Sequence, residues 1–280
     1  MPETGNIARA NLLGVGLHAV DMHRVVTIVD DALAAGGKHY ICATGVHGIM
    51  EAQKDASLKA ILNRAYLNVP DGKPTVWLSW IQHFAEMGHV GGPELMLEIC
   101  GLSVRKNYTH FLYGGNPGVV EELSTALQRL FPGIRIVGVY TPPFRRLNSQ
   151  EEADLVRMVA LAAPDILWVG ISTPKQEKFM AEYLPKLNTK LMFGVGAAFN
   201  FHSGRVKFAP EWMRRAGLAW LFRLCHEPRR LWKRYLFSYP RFIWKMMLQL
   251  FGWRTFALER HAKAGQESAE AQVSHISLHQ

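Results

Sequence analysis

The stretch ILWVGISTPKQE, residues 166–177, contains a short apolar run that ends at a glycine and is followed by the start of a helix. Ile166–Val169 has the length and composition of a buried strand. Pro174 suits the first turn of a helix, where its missing N–H is not needed, and Glu177 complements the helix dipole. The stretch therefore predicts one β-α unit, with a loop at the carboxyl end of its strand.

The same succession of a short apolar run and a helical pattern occurs along most of the chain. Asp21 can cap a helix over Met22–Ala35, and Ser149 with Glu152 forms a candidate capping box for a helix over Ser149–Ala162. The other predicted strands are Leu12–Val20, His39–Thr44, Ala65–Val69, His110–Tyr113, Ile134–Tyr140 and Lys190–Val195. A repeated β-α order favours a Rossmann-like α/β fold, with a mostly parallel sheet and helices on both faces. Right-handed crossovers then place the ligand cleft at the carboxyl ends of the strands.

Composition and charge limit the classes of partner and the compartment. The chain has 280 residues, a formal net charge of +9 and a pI near 9.6, which favours phosphorylated substrates, phospholipid headgroups or nucleic acid as partners. Three well-separated cysteines without CxxC spacing predict neither a disulfide framework nor a zinc site. We expect a cytoplasmic protein, because the N-terminal residues lack the pattern of a secretion signal and the apolar segment 231–252 carries charges too closely spaced to span a bilayer.

The composition changes near residue 204, where aromatic residues become interleaved with positive charge. Between residues 223 and 245, seven lysines and arginines stand against the single acid Glu227. We predict an α/β domain that carries the site over residues 1–203, a basic and aromatic helical appendage over residues 204–257, and a disordered tail over residues 258–280. The appendage fits a helix lying on an anionic membrane surface, and it also fits a helix packed on the domain or on a second subunit.

Small and polar residues follow the predicted strands, where this fold would form a cleft. The motifs are ATGVHG at 43–48, VPDGKP at 69–74, YGGNPG at 113–118, GISTPKQE at 170–177 and GVGAAFN at 194–200. In the last motif, Gly194 and Gly196 let the backbone approach a ribose or a phosphate closely, and Asn200 follows them. Candidate cationic groups for a diphosphate are Arg214, Arg215, Arg223, Arg229, Arg230 and Arg234. Because no convincing DxD-like pair is present, we expect guanidinium groups rather than a metal to balance the diphosphate charge, with no cofactor.

Taken in order, these motifs resemble the WecG/TagA/CpsF glycosyltransferases, family 26, which build bacterial cell-surface polymers from nucleotide sugars. The resemblance covers most of the chain and rests on Thr44, Pro70-Asp71-Gly72, Gly114-Gly115, Gly170, Pro174, Gln176, Glu177, Gly194-Val195-Gly196, Ala209-Pro210, Trp212, Gly217-Leu218, Trp220-Leu221, Arg223-Leu224 and Glu227-Pro228-Arg229-Arg230. It implies an inverting enzyme that moves a hexose or an N-acetylhexosamine-type sugar from a UDP-sugar to a polyprenyl-diphosphate-linked sugar. It also implies a metal-independent reaction by a peripheral protein at the inner face of the bacterial cytoplasmic membrane, in the synthesis of exopolysaccharide or another cell-surface polymer.

The resemblance also assigns roles to individual residues. It makes Asp71 the base that deprotonates the acceptor hydroxyl, and it places Thr44 beside the reacting sugar. Gln176 matches an active-site glutamine, whose amide can donate to and accept from sugar hydroxyls. Further substrate contacts are expected from His47, Gly114 and Gly115, and nucleotide contacts from Gly194, Gly196, Asn200, Arg223, Arg229 and Arg230. The sequence departs from relatives at two positions, where Val46 replaces a frequent asparagine and Asn200 replaces a frequent aspartate.

Other interpretations of the same residues stay open. The Asp71-Gly72 pair after a proline is also an ordinary turn, and Thr44, His47 and Gln176 could serve the structure alone. A nicotinamide or flavin enzyme is not favoured, because the helix cap at Asp21 comes too late after the nearby glycines for a dinucleotide fingerprint. Binding of single-stranded nucleic acid by the basic aromatic segment would not explain the strand-end motifs, so we expect no nucleic-acid partner.

Overall fold

A parallel sheet lies at the centre of the computed structural model, which describes residue 4 and residues 7–258. The strands in chain order are β1 Arg9–Leu12, β2 Val15–His18, β3 His39–Thr44, β4 Leu67–Pro70, β5 Thr109–Gly114, β6 Arg135–Tyr140, β7 Ile166–Gly170 and β8 Leu191–Gly194. Six of them form the central sheet in the order β4-β3-β8-β7-β5-β6, and all pairings in it are parallel. The predicted α/β fold is confirmed, and the carboxyl ends of these strands meet at one edge.

Helices cover both faces of this sheet. In chain order they are α1 Met22–Ala35, α2 Val46–Ala52, α3 Ala56–Arg64, α4 Lys73–Ile81, α5 Gly92–Lys106, α6 Val119–Leu130, α7 Ser149–Ala162, α8 Lys175–Tyr183, α9 Ala198–His202, α10 Glu211–Arg215, α11 Ala219–His226, α12 Pro228–Lys233 and α13 Tyr239–Leu250. Successive strand residues enter two separate cores, as the pleat of a strand requires. Phe111 and Leu167 pack with α2, α3, α7, α8 and α13, whereas Leu112 and Trp168 pack with α1, α5, α6 and α9. The prediction of helices on both faces is therefore confirmed.

The predicted strand over Leu12–Val20 is wrong. The structure forms an antiparallel hairpin of β1 and β2 there, and this hairpin lies outside the central sheet. Leu13 and Gly14 both have positive φ, 57° and 80°, and so make the two-residue turn. The buried Asn63 side chain holds the hairpin, because its Oδ1 accepts from the Gly16 N–H at 2.8 Å and its Nδ2 donates to the Gly14 carbonyl at 2.9 Å. The apolar run conceals the turn because its Leu13 is itself a core residue.

The helix caps follow the prediction at α1 and differ by one residue at α7. Asp21 caps α1 by accepting from a backbone N–H of the first turn at 2.8 Å. The capping box of α7 uses Asn148 and Glu151 rather than Ser149 and Glu152, with both reciprocal hydrogen bonds at 2.9 Å. Asparagine caps as well as serine does, so the sequence pattern fits either register.

Residues 205–258 are mostly helical, in the short helices α10 to α13. Between α12 and α13, Arg234–Ser238 forms a turn of π-helix. Phe242 and Met246 of α13 pack in the same core as α2, and Gln249 donates to the Asn11 carbonyl at 2.7 Å. The domain boundaries predicted at residues 203 and 257 stay predictions. Beyond residue 258, the predicted tail lies outside the residues that the structure describes. Among the described helices, none combines the length and the apolar character that crossing a bilayer requires.

Candidate active site

A cleft of about 540 Å³ opens at the carboxyl edge of the sheet, where β5, β6, β7 and β8 end. Its uncharged lining includes Tyr113, Gly115, Asn116, Gly170, Gly196, Phe199 and Asn200. Its charged lining consists of Arg145, Arg146, Lys175, Lys178 and Arg230 with the acids Glu152 and Glu182. Four residues predicted from the sequence thus come together around one cavity: Gly115, Gly196, Asn200 and Arg230. A concave site with several cationic groups suits a phosphorylated ligand.

The loop after β6 contributes two arginines that the sequence interpretation did not assign. Arg145 makes a two-pronged ion pair with Glu151, at 2.6 and 2.7 Å, and so is already occupied. Arg146 is 95% exposed and lies 3.8 Å from its nearest acid, Glu182. The sequence signal for this loop is its position directly after β6, because functional residues of this fold follow the strands.

Two neighbouring strand ends approach so closely that only glycine fits between them. Gly114 ends β5 with a φ of 135°, and a Cβ there would lie 2.7 Å from the backbone carbonyl group of Gly170 in β7. A Cβ at Gly170 would in turn lie 2.6 Å from the ring of Phe199. The Gly115 N–H then donates to the Gly170 carbonyl at 3.1 Å. Gly114 and Gly115 therefore shape the cleft, and their contact with substrate stays a prediction.

Gln176 lies beneath the glycine turn that follows β8. Its buried amide is so close to this turn that a Cβ at Gly194 would lie 3.1 Å from Nε2, and a Cβ at Gly196 would lie 3.4 Å from Oε1. Nε2 donates to the Glu177 carboxylate at 3.0 Å, whereas Oε1 has no hydrogen-bond partner among the residues that the structure describes. A buried acceptor without a partner costs free energy. Gln176 Oε1 therefore keeps acceptor capacity that the described residues do not use, and its contact with a ligand stays a prediction.

Glu177 is a carboxyl group buried in the first turn of α8, with 1% of its surface exposed. The Thr173 hydroxyl donates to its Oε1 at 2.7 Å, and Oε2 has no hydrogen-bond partner within the described part of the chain. Burial raises the pKa of Glu177 above its ordinary value, against the smaller opposing effect of hydrogen bonds from Thr173 and Gln176. The sequence interpretation gave Glu177 only a helix-dipole role, because nothing in the sequence reveals its burial.

Asp71 and Thr44 lie side by side at the ends of β4 and β3. The Asp71 N–H donates to the Thr44 carbonyl at 3.1 Å, and Thr44 pairs in register with Pro70. The Asp71 side chain is 43% exposed, so its carboxylate is open to a ligand. Thr44 Oγ1 is buried and lacks a hydrogen-bond partner among the described residues. Since β3 is the neighbour of β8, this pair lies on the same edge as the cleft.

His47, in the first turn of α2, faces Arg234 in the C-terminal segment, which is the predicted appendage over residues 204–257. Burial, followed by the positive charge of Arg234, lowers the pKa of His47 to about 4, so the ring is neutral near pH 7. Its Nδ1 has no hydrogen-bond partner among residues 7–258. Burial also lowers the pKa of Arg234, while Tyr235, Tyr239 and Asp71 act in the opposite direction. Arg234 therefore brings positive charge from the C-terminal segment towards both His47 and Asp71.

Two of the three arginines favoured for the nucleotide converge on Glu227. Arg230 lines the cleft and places Nη2 2.6 Å from Glu227 Oε2, and Arg223 Nη2 lies 3.8 Å from the same oxygen. Arg229 is exposed and is not part of the cleft lining. All three assignments stay predictions, and the geometry supports Arg230 most directly. In the part of the chain that the structure describes, no group of three His, Cys, Asp or Glu side chains is placed to hold a metal ion.

The fold and these side chains define an α/β protein with a cationic ligand cleft and an exposed carboxylate at the carboxyl edge of a parallel sheet. Residues 10–255 match the family model described as the Glycosyl transferase WecG/TagA/CpsF family. The chain belongs to this family and is a glycosyltransferase. The resemblance in the sequence is therefore confirmed.

Three similar proteins share one named activity. The chain is 30% identical to a Bacillus subtilis (strain 168) protein in an alignment 227 residues long, which covers 78% of this chain and 86% of that one. It is 31% identical to a Bacillus spizizenii protein, covering 69% and 72% of the two chains, and 25% identical to a Staphylococcus aureus (strain MW2) protein, covering 87% and 94%. Each of these relatives is named as an N-acetylglucosaminyldiphosphoundecaprenol N-acetyl-beta-D-mannosaminyltransferase.

Replacing Glu177 by glutamine should make the free energy of unfolding less dependent on pH. Because its pKa is raised, Glu177 binds a proton more tightly in the folded state, and wild-type stability falls as pH rises from the ordinary glutamate value through the raised one. Glutamine removes this loss and keeps an oxygen for Thr173. Urea unfolding at about pH 5 and about pH 8 measures the difference. The exposed Glu121→Gln variant should behave as wild type, and an unchanged pH dependence in Glu177→Gln would contradict the assignment.

Proposed function

We propose that this glycosyltransferase moves a hexose or an N-acetylhexosamine-type sugar, with inversion, from a UDP-sugar to a polyprenyl-diphosphate-linked sugar. The observation that carries the proposal is the exposed Asp71 carboxylate, which lies on the same sheet edge as the cleft lined by glycines and Arg230. Inversion needs a base for the acceptor hydroxyl and a group that stabilises the leaving diphosphate. This edge offers both.

The proposed reaction follows from the positions of these groups. Asp71 takes the proton of the acceptor hydroxyl as that oxygen attacks the anomeric carbon, and the bond from this carbon to the β-phosphate oxygen breaks. Arg230 and Arg223 balance the negative charge that develops on the departing diphosphate. The backbone at Gly194 and Gly196 approaches the ribose or a phosphate.

The donor sugar would be recognised by buried polar atoms that have no partner in the described protein. Thr44 Oγ1, Gln176 Oε1 and His47 Nδ1 are such atoms near the strand ends. A site that leaves them unpaired with the wrong sugar discriminates strongly between substrates. The names of the relatives support an N-acetylmannosamine donor and an N-acetylglucosaminyl-diphosphoundecaprenol acceptor as the first pair to test. The product would be an intermediate of a cell-surface polymer.

Replacing Asp71 by asparagine should abolish transfer, a loss of roughly 100-fold or more in kcat, because the amide cannot take the hydroxyl proton. Binding of UDP should stay close to wild type, since Asp71 acts on the acceptor. UDP release and product mass with a short-chain polyprenyl-diphosphate sugar measure the first effect, and calorimetric titration with UDP measures the second. The exposed Asp31→Asn variant is the matched control. Near wild-type turnover in Asp71→Asn would remove this residue from the mechanism.

The C-terminal segment supports a peripheral position on the cytoplasmic face of a membrane. Trp244, Phe251 and Trp253 are 58%, 63% and 73% exposed, which is unusual for large apolar side chains. The exposed Arg241 and Arg254 lie close to them in the chain. An apolar surface bordered by cations suits the headgroup region of an anionic bilayer, and it would bring the cleft to a lipid-linked acceptor.

The full chain should float with vesicles that contain anionic lipid and should bind neutral vesicles more weakly. The double variant Trp244→Ser, Trp253→Ser should bind anionic vesicles roughly 10-fold or more weakly, because it lacks two exposed aromatic side chains that the bilayer would bury. Leu161→Ser, at an apolar position on α7 that is even more exposed, is the control and should bind as wild type. A dimer in solution together with no flotation would contradict the membrane proposal and assign the surface to a second subunit.

A further inference from the structure

A histidine outside the family motifs lies beside the proposed base. His89 belongs to the loop between α4 and α5, and its Nε2 lies 3.7 Å from Asp71 Oδ1. The next residue fixes this loop to the end of β4, because the Val90 N–H donates to the Pro70 carbonyl at 2.9 Å. The imidazole is 29% exposed, so it contacts both the carboxylate and solvent. No feature of the sequence had singled out this residue.

The charges around His89 come from three elements. Asp71 follows β4, Glu94 lies in the first turn of α5, and Lys73 begins α4. Burial lowers the pKa of His89, but the neighbouring Asp71 carboxylate, together with the charge of Glu94, outweighs both burial and Lys73, so the pKa is raised above its ordinary value. Glu94 is held in turn by Arg214 of α10, with Nη1 3.3 Å from Oε1.

We propose that neutral His89 receives from Asp71 the proton that Asp71 removes from the acceptor hydroxyl. This inference rests on the proposed function of Asp71. In the step, the acceptor O–H bond breaks and an O–H bond forms on the Asp71 carboxylate as the sugar is transferred. The Asp71 O–H bond then breaks, an N–H bond forms at His89 Nε2, and the carboxylate is restored. The imidazolium later releases the proton to solvent.

The direction of this proton transfer follows from ordinary acidities. Carboxylic acids are stronger acids than imidazolium groups, and the surroundings raise the pKa of His89 further above its ordinary value, so proton transfer to His89 is favourable. The resulting imidazolium and carboxylate attract each other, and Glu94 adds to that attraction. A separation of 3.7 Å is longer than a hydrogen bond, and contacts of this kind commonly tighten when substrate binds. His89 acts through Asp71 and is therefore a positioning residue.

The proposal predicts a specific pH dependence. His89 can accept a proton only when it is neutral, so wild-type kcat should rise with pH through the raised pKa of His89, above about 6.5. In His89→Gln this limb should be absent between about pH 5.5 and about pH 8, because the variant has no imidazole at this position to titrate. At the upper end, kcat of the variant should be lower than wild type by roughly 10- to 100-fold. At the lower end the two proteins should converge.

The test measures kcat against pH for wild type, His89→Gln and the exposed control His23→Gln, with UDP affinity and thermal unfolding recorded for each. NMR titration of the His89 ring adds a readout that does not depend on activity: its pKa should be raised in wild type and lower in Asp71→Asn. If His89→Gln unfolds, His89→Asn replaces it. A wild-type pH limb that persists in the His89 variant, or a His89 pKa that does not respond to Asp71→Asn, would overturn the proposal. If Asp71→Asn itself stays active, the failure belongs to the proposed function instead.

Discussion

The close approach of β5 and β7 at their carboxyl ends constrains everything built on that edge of the sheet. Gly114 and Gly170 are paired in register, and neither position has room for a Cβ. The strands can therefore end side by side without side chains between them, and the cleft forms above their backbone. Phe199 of α9 packs against Gly170. This contact places the turn after β8 at the same edge of the sheet. A larger residue at either glycine would separate the strand ends and with them the walls of the cleft.

Around this frame, charged and polar groups divide into two sets. The Asp71 carboxylate and Arg230 are partly exposed and can meet a ligand directly. Thr44 and Gln176 are buried, and each keeps one oxygen without a partner in the described protein. Exposed charges suit the proton and diphosphate steps, where charge changes, whereas buried neutral oxygens suit the selection of a sugar by its hydroxyl pattern.

Much of this could be predicted because short apolar runs, small strand ends and helix caps are local signals. They predicted the strands of the central sheet and their succession along the chain, the cap at Asp21 and the edge on which the motifs meet, but not the order of the strands within the sheet. The hairpin at Leu13-Gly14 was missed because its turn carries a core leucine. The burial of Glu177 and the position of His89 beside Asp71 depend on packing between elements far apart in the chain, which no local pattern records.

We propose that the nucleotide occupies the cleft at the ends of β5, β7 and β8 while Asp71 faces the sugar side. A crystal structure of the UDP complex tests it most directly. We predict UDP between Tyr113 and the Gly196 turn, with its diphosphate contacting Arg230 and its free phosphate end directed towards Asp71. UDP bound away from this cleft, or an Asp71 carboxylate turned away from the diphosphate, would contradict the account.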